Sequence, residues 1–590
     1  MKIAYLDGYR FFRVFQVGAN AIIYHQKELD RINVFPVADA DTGINMAMTV
    51  EAVLSQATAS KDIKATLRSI SDAALMGARG NSGIILAQYL HGLSTEMPDS
   101  ESLTAKNFAL SAQKAVKRLY SSVMNPVEGT ILTVIREWSE YLSQAQENDF
   151  CELIVSSLAK AQKSLSETPQ KLKALADAKV VDAGAKGFVI FLEAVVDFIH
   201  GGSLQDKMIV PAPKLFKTEG HKSAASTLRY CSEANLGACS IDIQALKALL
   251  APLGDSLIVA GDPEKMRLHI HSNFPEKVFD ALQPLSLLSS IKVDDMKRQH
   301  ETSHEQKYPI GIITDSACDL PQELMDFYQI SCVPFGVNFG KELYLDQLTL
   351  KPEAFYQKLK NHKIHPQSSQ PPPSTVQSMI EHMAENYDKV FAIHISDKLS
   401  GTYQSAASFI ANKHENKVHP VNSRQLSVSE GLVVLRVARA IEAGESFQSI
   451  HSQLDTWIAN AHIYTDIYTL KYMVRGGRVP ALAGIIASLL NLKPIVGLDR
   501  EGKAQISGKS FSRASNMRKI IKTIQGELHD KKLWKYAIVH AEARDRAEEY
   551  AHKLTKLLGK SPAYIMPLTP VVGVHNGIGA VGIGVIYDPV

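Results

Sequence analysis

Asp39 and Asp41 stand one residue apart in Asn33-Val-Phe-Pro-Val-Ala-Asp-Ala-Asp-Thr-Gly-Ile-Asn-Met46, a turn of small residues that runs into a helix-like stretch. Two carboxylates at such a turn make a site for a hard cation. Mg²⁺ takes a few carboxylates and completes its shell with water and substrate phosphates. A second segment, Gly77-Ala-Arg-Gly-Asn-Ser-Gly83, frees backbone N–H groups ahead of the apolar run Ile84–Leu90. A helix N-terminus behind a glycine-rich turn holds phosphate. Taken singly, each segment reads as readily as a solvated turn or an ordinary helix cap. Together they indicate phosphoryl transfer.

Two later segments, Glu128-Gly-Thr-Ile-Leu-Thr-Val134 and Val181-Asp-Ala-Gly-Ala-Lys-Gly187, complete an ordered set of four. In that order the set resembles the signatures of the kinase domain of bacterial fatty-acid kinase, a relative of the nucleotide-binding subunit of dihydroxyacetone kinase. The resemblance covers roughly residues 1–200. It implies an antiparallel barrel of about eight helices with ATP at one end, and the apolar periodicity of Asn45–Ser55, Ile84–Leu93 and Phe188–Ile199 agrees with helices. It also implies that Asp39 and Asp41, with Asn33 beside them, hold Mg²⁺. Gly80, Asn81, Ser82 and Gly83 would hold phosphates, and Thr42, Asn45, Thr130, Asp182 and Gly184 would line the nucleotide. Arg79 is read as a cation near the transferring group or a helix-end charge. The chain departs from the family at Ala38, Ala40, Ile44 and Ala185. If position 40 requires a left-handed backbone, alanine there costs about 1 kcal/mol or more.

At 590 residues the length corresponds to about three or four domains. The content of 45% hydrophobic and 21% charged residues is that of a globular chain. A net charge of +3 without a long basic run argues against nucleic acid as a partner. No stretch reaches the roughly 18 apolar residues of a membrane span. The opening Met-Lys-Ile-Ala-Tyr has no apolar signal core, and five cysteines make no disulfide scaffold, so the expected location is cytoplasmic. Gly201–Ala225 reads as a linker and Lys297–Tyr308 as a charged, unpatterned joint. The expected architecture is therefore multidomain: an all-α kinase domain over 1–202, a small α/β middle domain over 203–300, and a two-lobed α/β domain over 307–590.

In the middle part, Met266-Arg-Leu-His-Ile-His271 alternates as a strand, which puts His269 and His271 on one face roughly 6.5–7 Å apart. Two imidazoles at that spacing can share one ion with Zn–N distances of about 2.0–2.1 Å. Cys231 is the natural third ligand. The pattern alone equally admits surface histidines beside a buried thiol. Tyr230-Cys-Ser-Glu, Leu253-Gly-Asp-Ser256 and His269-Ile-His271 resemble the middle domain of the same kinase family, which implies a Zn²⁺ site with a structural or docking role.

From Tyr308 onward, Thr314-Asp-Ser-Ala-Cys-Asp-Leu-Pro321, Pro366-Gln-Ser-Ser-Gln-Pro371, Leu399-Ser-Gly-Thr-Tyr-Gln-Ser-Ala406, Val474-Arg-Gly-Gly-Arg478 and Val574-His-Asn-Gly577 resemble the DegV family of fatty-acid-binding proteins. Strand, Leu-Ser-Gly-Thr and helix in succession place Ser400, Gly401 and Thr402 at a helix N-terminus, an anion site suited to a carboxylate. Ser368 and His575 would complete the clamp. Helix Glu430–Ala443 and the run Ala481–Leu492 offer apolar wall or ordinary core, and Cys318 and Cys332 read as core. The resemblance implies that Arg478 docks the kinase. Ser368 stands where Thr is commoner, and Asn422-Ser-Arg replaces the usual Asp-Ser.

These readings imply ATP, Mg²⁺, Zn²⁺ and a fatty acid as ligands, a downstream enzyme using acyl phosphate, and a homodimer. A fatty acid with roughly fourteen methylenes costs about 11 kcal/mol to expose to water, so its kinase needs a carrier. A covalent tether gives such a carrier an effective concentration near millimolar. Two alternatives stand beside a fatty-acid kinase: a non-catalytic lipid-binding protein, and a kinase of a small dihydroxyacetone-like substrate.

Overall fold

The computed structural model describes residues 3–36, 41–99, 102–201, 228–477 and 493–589. Contacts divide the chain into two units, Met1–His300 and Glu301–Val590.

The first unit begins with helices α1 (Gly8–Tyr24), α2 (Gln26–Arg31), α3 (Thr42–Gln56), α4 (Ile63–Gly77), α5 (Gly80–Glu96), α6 (Ala105–Ser122), α7 (Ile131–Gln144) and α8 (Phe150–Ser166). Two short helices, α9 (Thr168–Lys171) and α10 (Lys173–Ala178), lead to α11 (Ala183–Ile199). Local sequence starts most of the long ones. Asp7, Asp62, Thr104, Thr130, Asp149 and Asp182 are N-caps whose side chains accept backbone N–H groups of the first turn. The inward faces meet in one apolar core, where Trp138 packs edge-on against Phe188 and donates its indole N–H to Ser157 at 2.9 Å.

A four-stranded antiparallel sheet follows, built from β3 (Tyr230–Gly237), β4 (Asp255–Asp262), β5 (Lys265–Ser272) and β6 (Leu287–Asp295) in the order β4-β5-β3-β6. It is joined to the helices by its own backbone. Val123 makes an antiparallel bridge to Ile258, the Met124 N–H donates to the Leu257 carbonyl at 3.0 Å, and Ile258 and Ala260 lie in the helical core. The stretch expected to be an unpatterned joint is partly a helix, Met296–His304, in which Arg298, His300, Glu301 and Thr302 are buried. Its polar sequence carries no apolar stripe, so only tertiary packing reveals it.

The second unit contains three sheets. β7 (Ile310–Asp315), β8 (Ser331–Val333), β12 (Lys389–His394) and β13 (Val418–Asn422) form a parallel sheet in the order β13-β12-β7-β8. The apolar runs of β7 and β12 are buried throughout, as covered parallel strands require. A three-stranded sheet joins β9 (Gly336–Phe339), β10 (Glu342–Leu345) and β11 (Gln367–Ser369). A six-stranded sheet joins β14 (Ala461–Asp466), β15 (Lys493–Leu498), β16 (Ala504–Ser510), β17 (Lys531–His540), β18 (Ile565–Pro567) and β19 (Val581–Pro589). The two larger sheets are the two lobes. Among the described residues no helix is long and apolar enough to cross a membrane.

The helix expected over Glu430–Ala443 begins earlier, at Ser427, and ends at Glu442. Ser427 holds a left-handed backbone (φ 59°) and its hydroxyl donates to the buried Asp319 carboxyl, which fixes the helix start. One turn on, Glu430 is fully buried and neither carboxylate oxygen has a hydrogen-bond partner among the described residues. Burial, reinforced by Asp315 and Asp319, pushes its pKa well above the usual carboxylate range, so it is neutral at pH 7. An unpartnered buried polar group costs about 1–3 kcal/mol. Glu430→Leu is expected to raise the thermal midpoint by a comparable stabilisation; a lower midpoint would mean that the carboxyl has a partner.

Candidate active site

β3 and β5 pair with Cys231 opposite His271, Glu233 opposite His269 and Asn235 opposite Arg267. The period of two therefore puts six polar side chains on one sheet face. Cys231, His269 and His271 converge until their ligand atoms lie within 4.8 Å of one another. His269 Nε2 is 3.1 Å from His271 Nε2, and Cys231 Sγ is 3.6 Å from His269 Nδ1. Both histidines are buried, not surface strand residues. Burial, with His269 beside it, lowers His271 to about 3, so the ring is neutral and its lone pair available at pH 7. Burial, with Glu233 and Asp294 nearby, pushes the Cys231 thiol well above its ordinary value. One soft sulfur and two imidazoles in this arrangement fit zinc and leave a coordination position open.

The sequence-predicted nucleotide residues lie in the same cleft. Asn33, Asp41, Thr42, Asn45, Gly80, Asn81 and Ser82 line it together with Cys231, His269, His271 and Asp294. Asp41 is the N-cap position of α3, so its carboxylate sits beside the start of that helix. Asp30 accepts the Ile44 N–H at 3.0 Å and the Gly43 N–H; burial raises it to about 7 against those two bonds. The helix α5 begins inside the glycine-rich motif, at Gly80, one turn earlier than the apolar run suggests. Gly80 has φ 56°, and a Cβ there would lie 2.4 Å from Asn45 Nδ2. A Cβ at Gly83 would lie 2.3 Å from Thr49 Oγ1. Glycine is thus what lets α5 approach α3 and leaves the first N–H groups of α5 facing the cleft.

Thr130, Asp182 and Gly184 form the next layer and do not line the cleft. Thr130 caps α7 and Asp182 caps α11, accepting the Ala185 N–H at 2.7 Å. Burial raises the Asp182 carboxyl to about 6 against the N–H groups of Ala185 and Ile131, so this one carboxyl ties both helix starts together. A Cβ at Gly184 would lie 2.6 Å from Ser82 Oγ, which places α11 directly behind the phosphate motif. Arg79 is not directed at the cleft: its guanidinium donates to Glu233 at 3.4 Å. Asp39 lies outside the described residues.

Sequence reasoning did not single out Glu233 and Arg267. Both were within reach of the strand period, since Glu233 is two residues from Cys231 and Arg267 two from His269. Arg267 Nη2 donates to Glu233 Oε2 at 2.7 Å and Nη1 donates to Asn235 Oδ1 at 2.9 Å. The Gly80 N–H donates to Glu233 Oε1 at 2.7 Å. Burial would raise Glu233, but the Arg267 charge, the His269 hydrogen bond and Lys292 outweigh it and hold the carboxyl well below the usual range.

In the second unit, Ser368 and His575 meet, with Ser368 Oγ 2.9 Å from His575 Nε2. Ser400 Oγ is 2.9 Å from Thr402 Oγ1 at the start of the helix Thr402–Lys413, for which Gly401 is the N-cap. A Cβ on Gly401 would lie 2.5 Å from Gln370 Oε1, so the Ser368 strand and the Ser400 turn are neighbours. Gly476 packs against the His575 ring. Cys318 is buried and Cys332 half-buried. Arg478 and the run 481–492 lie outside the described residues.

The comparisons agree with this division. The chain carries a DAK2 domain (matched over residues 36–197), a middle domain of the fatty acid kinase type (227–303) and a DegV-family domain (309–588). Among individual relatives, Protein YloV of Bacillus subtilis is 32% identical over 343 residues, 53% of this chain and 62% of that protein. An uncharacterized protein of Staphylococcus saprophyticus is 34% identical over 329 residues, 52% of this chain and 58% of that one. The chain therefore spans about three-fifths of the length of the curated relatives it matches. Among solved structures, the fatty acid binding protein DegV of Bacillus subtilis is 27% identical, with a TM-score of 0.44 over 48% of this chain and 100% of that one. A DegV family protein from Thermus thermophilus, titled for fatty acid binding, gives the same values.

Gly80→Ala is expected to lower stability by about 1–3 kcal/mol, because the left-handed backbone and the contact with Asn45 both oppose a Cβ. Thermal melts against wild type test this; an unchanged midpoint would mean that α5 relaxes without cost.

Proposed function

We propose that this chain is a fatty-acid kinase: it transfers the γ-phosphoryl group of ATP to the carboxylate of a fatty acid presented by its own DegV-type half, giving ADP and an acyl phosphate. The observation that carries the reading is the cleft in which Asp41, Thr42, Asn45 and the start of α5 face Cys231, His269 and His271. A phosphate cradle and a metal-ligand triad share one opening, in a chain that also carries a DegV-family domain.

Backbone N–H groups at Gly80–Ser82 orient the phosphates, and the N-terminal end of α5 favours their charge. Asp41, with Asn33 across the cleft, would hold Mg²⁺, and Asp39 belongs to the same motif. When bound, Mg²⁺ supplies charge neutralisation on the transferring group. The acceptor carboxylate titrates near Asp and Glu, so it is ionised at pH 7 and no general base is required. In the other half, Ser368, His575 and the Ser400–Thr402 turn would hold the acid headgroup through O–H and N–H donors.

Asp41→Ala should abolish ATP-dependent acyl phosphate formation with oleate or palmitate while lipid binding persists; retained turnover defeats the assignment. Ser368→Ala combined with His575→Ala should do the converse, weakening lipid binding at least tenfold and leaving nucleotide binding unchanged. Elemental analysis should find about one zinc per chain, and loading should release a proton from the Cys231 thiol, read as a buffer-dependent binding enthalpy. Far less than one zinc, or no proton release, counts against the triad as ligands.

A further inference from the structure

Glu233 touches both halves of the proposed catalytic cleft. Oε1 accepts the Gly80 N–H at 2.7 Å and lies 3.3 Å from His269 Nδ1. Oε2 accepts Arg267 at 2.7 Å and Arg79 at 3.4 Å. The carboxylate is buried, and so is Arg267. Asn235, on the same strand face, donates to the Met76 carbonyl near the end of α4 at 3.3 Å. The sheet thus grips the glycine-rich motif from both sides of residues 77–79.

We propose that Glu233 is a positioning residue which sets the Gly80–Ser82 cradle from the middle sheet, so that a divalent metal on Cys231, His269 and His271 and a nucleotide in the cradle each raise the other's affinity. This rests on the kinase reading above. A metal ligated by His269 Nε2 needs the imidazole proton on Nδ1, and the carboxylate oxygen facing Nδ1 is Glu233 Oε1. Metal binding therefore fixes one histidine tautomer and holds Oε1 at the oxygen that also receives the Gly80 N–H. Without metal, Nε2 of His269 faces Nε2 of His271, and a proton between those rings competes with the Nδ1 tautomer. With Glu233 held, the first N–H of α5 is capped and those that follow are ordered toward the cleft before nucleotide arrives. A ligand entering an ordered site has less ordering left to impose, which makes the coupling positive. Linkage makes it reciprocal.

The test uses the full chain with Mg²⁺ present. ADP affinity is measured by calorimetry on zinc-loaded and chelator-stripped protein, and zinc affinity with and without saturating ADP. The expected result is about fivefold or more tighter ADP binding in the zinc form, with an equal factor in the reverse experiment. Glu233→Gln should still bind ADP but bring the two metal states within about twofold of each other. Because that change leaves Arg267 buried opposite a neutral group, hydrogen exchange on the wild type serves as a second measure: zinc alone should slow exchange at the amides of residues 80–82. Equal ADP affinity in both metal states, full coupling in Glu233→Gln, or exchange indifferent to zinc overturns the proposal. A chain that binds no ADP in either state overturns the kinase reading as well, whereas equal binding in both overturns the coupling alone.

Discussion

A carboxylate cannot sit in a protein interior without partners, and Glu233 has four of them in three different segments. Arg267 balances its charge from the neighbouring strand, Arg79 and the Gly80 N–H reach it from the start of α5, and the His269 ring lies against it. Removing any one leaves the others facing a buried charge that is less well satisfied, and broken buried pairs are costly. That interlock determines how the helices and the sheet of the first unit meet. The cleft follows from it: the six polar side chains of one sheet face are presented to the N-terminal ends of α3 and α5 rather than to solvent.

The chemistry of the cleft is graded by burial. Asp30 and Asp182 are pushed toward neutrality, and each spends its oxygens on helix N–H groups. Asp41, at the cleft surface, is left to face ligand. Behind the cleft, glycines at 80, 83 and 184 let three helices come closer than any side chain would allow. Close backbone approach and hydrogen-bonded carboxyls are two ways of building the same thing, a rigid set of N–H donors around an opening.

Much of this was legible in the sequence. The ordered motifs placed Asp41, Gly80–Ser82 and the triad in their elements, because helix caps, glycine turns and strand alternation are local properties. The parts that were not legible are non-local. Arg79 is 154 residues from Glu233, and no spacing rule pairs them. The triad was expected to be structural or docking-related, whereas it opens into the nucleotide cleft, a fact set by the way the sheet edge at Ile258 joins the loop at Val123. The polar segment after residue 296 reads as a linker because burial of Arg298 and Glu301 comes from neighbours distant in the chain. Glu430 lies in an otherwise apolar helix that reads as lipid-facing wall or core; its isolation inside the second unit is visible only in three dimensions.

The seam between helices and sheet has a consequence for how the chain can be divided. A fragment ending near residue 200 would lose the strand that covers Val123 and Met124, the Gly261 N–H that satisfies Gln88, and the ammonium of Lys247 that caps the Ser121 and Val123 carbonyls. It would also uncover the apolar patch where Ile258 and Ala260 now sit. The helical part is therefore not an autonomous cartridge to which a metal module has been appended. It is one side of a composite body whose missing face would present sticky apolar surface and orphaned backbone groups to the solvent.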